Sequence, residues 1–355
     1  MSTAPAPKTN PGNFFEDFRV GQEIVHATPR TVTSGDVALY TALYGSRFAV
    51  QSSDAFARAI GLPAAPVDDL LVFHIVFGKT VPDVSLNAVA NLGYAECQFL
   101  KPVFTGDTLS ARSAVIGLKE NSNGETGVVY VRTTGRNQHG EIVLSYVRWV
   151  MVRKLRRDVP APAAVVPKLA EAVDAAALGA CLPKIDAAAY EAALAGSPHR
   201  FGDYAVGERI DHVDGITVEE AEHQLAARLY QNTAKVHFDA FAARQTRFGK
   251  RLIYGGVVIS LARALSFNGL GNAFKIAAIN GGRHVAPLFA GDTVYAWSEV
   301  IAVADVGHRQ DVGAIRLKTI ATKDAPLLTL SQTSATPETS ESVILNLDYW
   351  VLLPK

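Results

Sequence analysis

The chain has 355 residues, 34 of them basic and 34 acidic, and 48% are apolar. Balanced charge excludes a global field that would recruit nucleic acid or an anionic membrane, and the apolar runs break well before the ~18 residues of a membrane span. The length favours about two domains. In chain order, residues 1–12 are rich in Pro, Ala and Ser and read as a flexible tail, unlike a secretory signal. Residues 13–154 form a first folded unit. It contains a helix from Ser34 to Leu43, an apolar helix from Asp68 to Phe77, and alternating strands at Val128–Arg132 and Ile142–Trp149 split by Gly and Asn turns. Residues 155–200, opened by Pro160-Ala161-Pro162-Ala163 and full of alanine, read as a surface-crossing linker with one or two short helices. Residues 201–355 repeat the pattern. A helix from Val218 to Leu229 precedes an apolar helix that starts at Gly255-Gly256, with Val258, Leu261, Ala262 and Leu265 at helical spacing, and a strand from Ile344 to Leu353 closes the unit. An insertion within 323–341, Ser/Thr-rich around Ser331 to Ser342, reads as a loop without chemistry. The cysteines, Cys97 and Cys181, lack a metal-like spacing and suit two inert thiols in a reducing cytoplasm.

The two units are copies. Lys101-Pro102-Val103-Phe104-Thr105-Gly106-Asp107-Thr108 returns as Ala286-Pro287-Leu288-Phe289-Ala290-Gly291-Asp292-Thr293, an offset of 287 − 102 = 185. The same offset aligns Ser113–Ile116 with Ser298–Ile301 and Asp54–Ala57 with Asp239–Ala242, and Phe18–Gly21 meets Tyr204–Gly207 at 186. A period this long excludes a solenoid and implies a duplicated globular fold. Each copy is an α+β unit, one helix wrapped by an antiparallel sheet, and the copies are expected to pack as an internal pseudo-dimer with joined sheets.

The chemistry concentrates in Tyr230–Ala242, where Asn232 precedes His237 by five residues and Asp239 follows by two. This stretch resembles the signature of the MaoC-like, (R)-specific enoyl-CoA hydratases of hot-dog fold. His237 and Asp239 match that signature. Asn232 stands where the family has its catalytic Asp, and Ala234-Lys235 replace Asn-Pro. Together with Gly45–Val50, Ser53–Ala57, Phe99–Leu109 and Ile253–Leu265, the chain resembles the mesaconyl-CoA (2-methylfumaryl-CoA) hydratase branch over residues 13–154 and 201–353. The resemblance implies a double hot-dog fold, a CoA-thioester substrate and a hydro-lyase reaction converting mesaconyl-CoA to β-methylmalyl-CoA. An (R)-specific hydratase for fatty-type enoyl-CoAs, an acyl-CoA thioesterase and a non-catalytic acyl-CoA-binding subunit remain alternatives.

Hydration needs a base for water and donors for an enolate oxygen. His237 is the expected base, set against an ordinary loop histidine. Asn232 orients the water or merely caps the following turn, and Asp239 reads as a helix cap. Tyr254, Gly255 and Gly256 are the expected oxyanion and substrate-binding residues at a helix N-terminus. The first copy has Asp68-Asp69 at the equivalent helix start and Gln51-Ser52 where the histidine belongs, so it reads as catalytically empty. A neutral Asn232 has a rationale. A carboxylate ~4 Å from the substrate's own would cost about 4 kcal/mol at an effective dielectric of ~20. Arg47 or Arg251 is the expected partner for that substrate carboxylate. Arg244, Arg247, Lys250, Arg251, Arg283 and His284 are candidates for the CoA phosphates, with a solvated loop as the alternative for the Arg244–Arg251 cluster. No phosphate-loop or metal motif implies a cofactor, and homo-oligomerisation stays open.

Overall fold

The computed structural model describes residues 8–328 and 337–355. The first seven residues of the expected tail and residues 329–336 of the Ser/Thr-rich insertion lie outside the described residues. The first copy runs β1 (Glu23–Thr31), α1 (Ser34–Tyr44), α2 (Ala49–Ser52), α3 (Asp54–Ala59), α4 (Asp69–Thr80), β2 (Ala88–Phe99), β3 (Thr108–Glu120), β4 (Thr126–Arg136) and β5 (Ile142–Arg153). A short helix α5 (Ala192–Ala195) lies in the connection. The second copy runs β6 (Arg209–Thr217), α6 (Glu220–Leu229), α7 (Lys235–Phe238), α8 (Ala240–Ala243), α9 (Gly255–Leu265), β7 (Lys275–His284), β8 (Thr293–Asp305), β9 (Val312–Lys323) and β10 (Val343–Pro354).

One ten-stranded antiparallel sheet carries both copies in the order β1-β3-β4-β5-β2-β7-β10-β9-β8-β6, so the second half mirrors the first. The seam is the pairing of β2 with β7, where Cys97 faces Ile279 and Gln98 faces Ala278. Strand alternation supplies the inner face. In β4, Val129, Val131 and Thr133 are buried while Tyr130, Arg132 and Thr134 are half-exposed.

Helix α4 is apolar on every side and all twelve of its residues are buried, as such a helix requires. Asp68 starts it by accepting the Leu70 N–H at 2.9 Å. Helix α9 is buried from Gly256 to Leu265. The two helices share one apolar core, which includes Phe73 and Phe77 from α4 and Val257, Ile259 and Leu261 from α9. Polar side chains of α1, α4 and α9 also meet at this core. The Tyr40 hydroxyl donates to Ser260 Oγ at 3.0 Å, and Ser260 Oγ meets His74 Nε2 at 2.9 Å. Residues 155–200 do more than span a gap. Val173, Leu178, Cys181, Leu182, Ile185 and Tyr190 form a second core with Phe56, Ile60, Phe274 and Trp350, and the Trp350 indole N–H donates to the Val173 carbonyl at 3.1 Å.

Helix α4 presses closely onto the chain that leaves α6. A Cβ at Gly78 would lie 1.7 Å from the Tyr230 carbonyl oxygen, a backbone atom with no room to retreat. Gly78→Ala is therefore expected to lower stability by about 1–3 kcal/mol through overpacking. Urea unfolding checks this, and an unchanged midpoint would contradict the close approach.

Candidate active site

The residues of the Tyr230–Ala242 stretch fold as turns and short helices, and Asn232, Ala234, Val236 and His237 among them line a cavity of about 320 Å³. His237 sits on the single turn of α7, where the sequence suggests a loop. Its Nδ1 lies 2.8 Å from the Leu252 carbonyl oxygen. A carbonyl only accepts, so Nδ1 carries the proton and Nε2 keeps its lone pair. Asn232 is 1% exposed and lines the same cavity. Its Oδ1 accepts the Ala234 N–H at 3.2 Å, so it braces the turn leading to His237. Asp239 caps α8 by accepting the Ala242 N–H at 3.0 Å.

Tyr254 is the N-cap residue of α9 and has no side-chain cap bond. Its backbone N–H instead donates to His223 Nε2 at 3.1 Å, which holds the helix start in place. Gly255 and Gly256 follow as the first helical residues, so their N–H groups are among the donors without an intrahelical acceptor. Neither position tolerates a side chain. A Cβ at Gly255 would lie 2.4 Å from His284 Nε2, and one at Gly256 would lie 2.5 Å from His74 Cε1. His237, Asn232, Tyr254, Gly255 and His284 all line the one cavity.

The profile of the mesaconyl-CoA hydratase family matches residues 5–335. The chain belongs to that family. It is 62% identical over 351 residues to a mesaconyl-CoA hydratase of Cereibacter sphaeroides, covering 98% of this chain and 100% of that one. It is 60% identical over 349 residues to a β-methylmalyl-CoA dehydratase of Chloroflexus aurantiacus, covering 98% of this chain and 99% of that protein. The crystal structure of a MaoC domain protein dehydratase from Chloroflexus aurantiacus superposes with a TM-score of 0.94, at 60% identity over 99% of each chain. A conserved Mycobacterium tuberculosis protein with a double hot-dog fold superposes with a TM-score of 0.74 at 24% identity, covering 97% of this chain and 99% of that one. The fold is thus the α+β double hot-dog.

Within this member of the family, the basic candidates separate. Arg247 lines the cavity from an exposed position, with its guanidinium 4.6 Å from the Phe248 ring centre. Arg47, Arg251 and Arg283 are not on the cavity wall. Arg47 is an exposed side chain 4.0 Å from Asp214, Arg251 pairs with Glu220, and Arg283 is exposed on β7. Arg244 and Lys250 are also exposed, and Lys250 lies over the Phe289 ring. His284 belongs to the cavity, with a buried Nε2 that has no partner.

The wall also includes polar residues that are not among the sequence candidates, notably Arg148 of β5 and Asn91 of β2. The signal for Arg148 was present. It falls on the same strand parity as Leu144 and Tyr146, where an inward apolar residue is expected.

Burial depresses five histidines below their ordinary range: His237, His212 and His284 to about 4, and His74 and His223 to about 3. Between pH 6.5 and these values the unfolded chain binds protons that the folded chain refuses, so stability falls as pH drops through that window. Burial raises Asp68 to about 6 and also raises Asp69, which opposes the trend with fewer groups. Urea midpoints should therefore be lower at pH 5 than at pH 7.5, and equal midpoints would count against neutral buried imidazoles.

Proposed function

We propose that the protein adds water reversibly to mesaconyl-CoA, giving β-methylmalyl-CoA, with His237 as the base. One observation carries this reading: a single cavity joins an imidazole with a free Nε2 to the N-terminus of a buried helix. The relatives at 60% and 62% identity, a β-methylmalyl-CoA dehydratase and a mesaconyl-CoA hydratase, point the same way.

Water held between His237 Nε2 and the Asn232 carboxamide attacks the carbon β to the thioester. The thioester oxygen takes up negative charge against the N–H groups and positive end of α9. His237, now protonated, returns a proton to the α-carbon. Burial keeps the imidazole neutral, so it is ready to accept a proton at physiological pH. The substrate's own carboxylate would raise its basicity once bound. Arg247 at the cavity mouth is the candidate for a CoA phosphate contact.

The second copy alone is assigned the reaction. In the first, the start of α4 is filled by its own acids. Asp68 caps the helix, and Asp69 pairs with Lys275 and accepts the Ile276 N–H at 3.0 Å. Gln51 is spent on the Phe274 carbonyl, at 2.7 Å.

The test is loss of enoyl-thioester absorbance on mesaconyl-CoA. His237→Ala should lower turnover by ~10² or more, the scale for a lost general base, while Gln51→Ala should cost far less. Equal losses would sink the one-site assignment. Asn232→Asp should impair mesaconyl-CoA hydration and spare crotonyl-CoA, which has no carboxylate to repel. An equal change on both substrates would remove the charge argument for the amide.

A further inference from the structure

Arg148 is 0% exposed and lines the active-site cavity. It is held from one side. Nη2 donates to Thr80 Oγ1 at 2.7 Å and to Ser85 Oγ at 3.3 Å, and the guanidinium lies 4.2 Å from the Phe77 ring centre. Nε and Nη1 are buried with no partner. The ionisable groups that act on it are the hydroxyls of Tyr146, Tyr94 and Tyr254, none of them a carboxylate. Burying a cation without an anion costs several kcal/mol.

Asn91 compounds the anomaly, because both its side-chain polar atoms are also buried and unpartnered. It pairs across the sheet with Val150, one same-face position along β5 from Arg148. The Tyr254 hydroxyl, from the second copy, is a third buried and unpartnered group in this cavity.

The internal repeat supplies a control. Arg148 faces Tyr94 across β5 and β2, and the equivalent pair on β10 and β7 is Tyr349 with Ile279. Asn91 and Val150 correspond in the same way to Ile276 and Val351. The fold therefore closes at these positions with no cation and no carboxamide. The cation and the carboxamide stand only on the side that faces His237 and α9.

Resting on the mesaconyl-CoA reading, we propose that Arg148 and Asn91 form the pocket for the free carboxylate of the acyl group. In 2-methylfumaryl-CoA that carboxylate is bonded to the carbon that water attacks. An arginine that anchors it sets which carbon is presented to His237 and offsets its charge. The acyl group offers two activated ends, and anchoring one directs the thioester to the N-terminus of α9. An apolar fatty tail would leave the Arg148 and Asn91 donors unpaired, which rejects it strongly. Arg148 is thus a specificity residue contributed by the copy that lacks the base.

The test compares two saturated ligands by calorimetry: methylsuccinyl-CoA, which keeps the carboxylate, and 2-methylbutyryl-CoA, which has a methyl in its place. The unsubstituted protein should bind the first at least ~30-fold more tightly, the scale of charged hydrogen bonds. Arg148→Met should reduce that ratio below ~3 by weakening methylsuccinyl-CoA, and Arg148→Lys should keep part of it. Asn91→Leu, which leaves the arginine and its supports in place, should cut the ratio at least ~3-fold and serves if Arg148→Met does not fold. A ratio near one in the unsubstituted protein overturns the proposal, as does a ratio preserved in the folded variants because both ligands weaken alike. Hydration of mesaconyl-CoA by the unsubstituted protein is read separately. If hydration occurs and the ratios do not respond, only the carboxylate pocket fails. If hydration is absent, it is the proposed function that fails.

Discussion

Everything in this structure depends on the complete burial of α4. Twelve successive residues are withdrawn from water, and a single curved sheet covers only one side of a helix. The other side must come from the second copy, which brings α9 and the turn at Tyr230 against it. The contact leaves no slack, since at Gly78 there is no space even for a methyl group. Joining β2 to β7 completes the enclosure, and the two copies share one core instead of resting as two beads.

This enclosure divides the labour between the copies. The second presents His237, Asn232 and the open N-terminus of α9, while the first presents Phe77, Asn91 and Arg148 across the same cavity. Its own helix N-terminus is closed by Asp68 and Asp69. A duplicated fold permits this, because both copies can keep the packing while they place different side chains on a shared cavity.

The electrostatics of the cavity follow from the same dryness. His237 and His284 are held neutral by burial, while Arg148 stays buried with two unmatched donors. Such a site has spare positive charge and, among the described residues, no carboxylate on its wall, which suits an anionic acyl group and penalises an apolar one.

The sequence by itself determined a great deal. The offset of 185 residues revealed the duplication, because turn residues such as Gly106-Asp107 and Gly291-Asp292 are dictated locally by backbone geometry. Helix and strand periodicity located α4, α9 and the closing strands, and the spacing around His237 pointed to a stretch that lines the cavity. Only tertiary structure decided which cations stand on the cavity wall. Arg244, Lys250 and Arg251, close to His237 in sequence, lie off the cavity wall, whereas Arg148, 89 positions before it, stands on it. Proximity along the chain reports local turns. Membership of a cavity wall depends on strand register and on how two copies close over a shared helix, and long-range packing alone sets those.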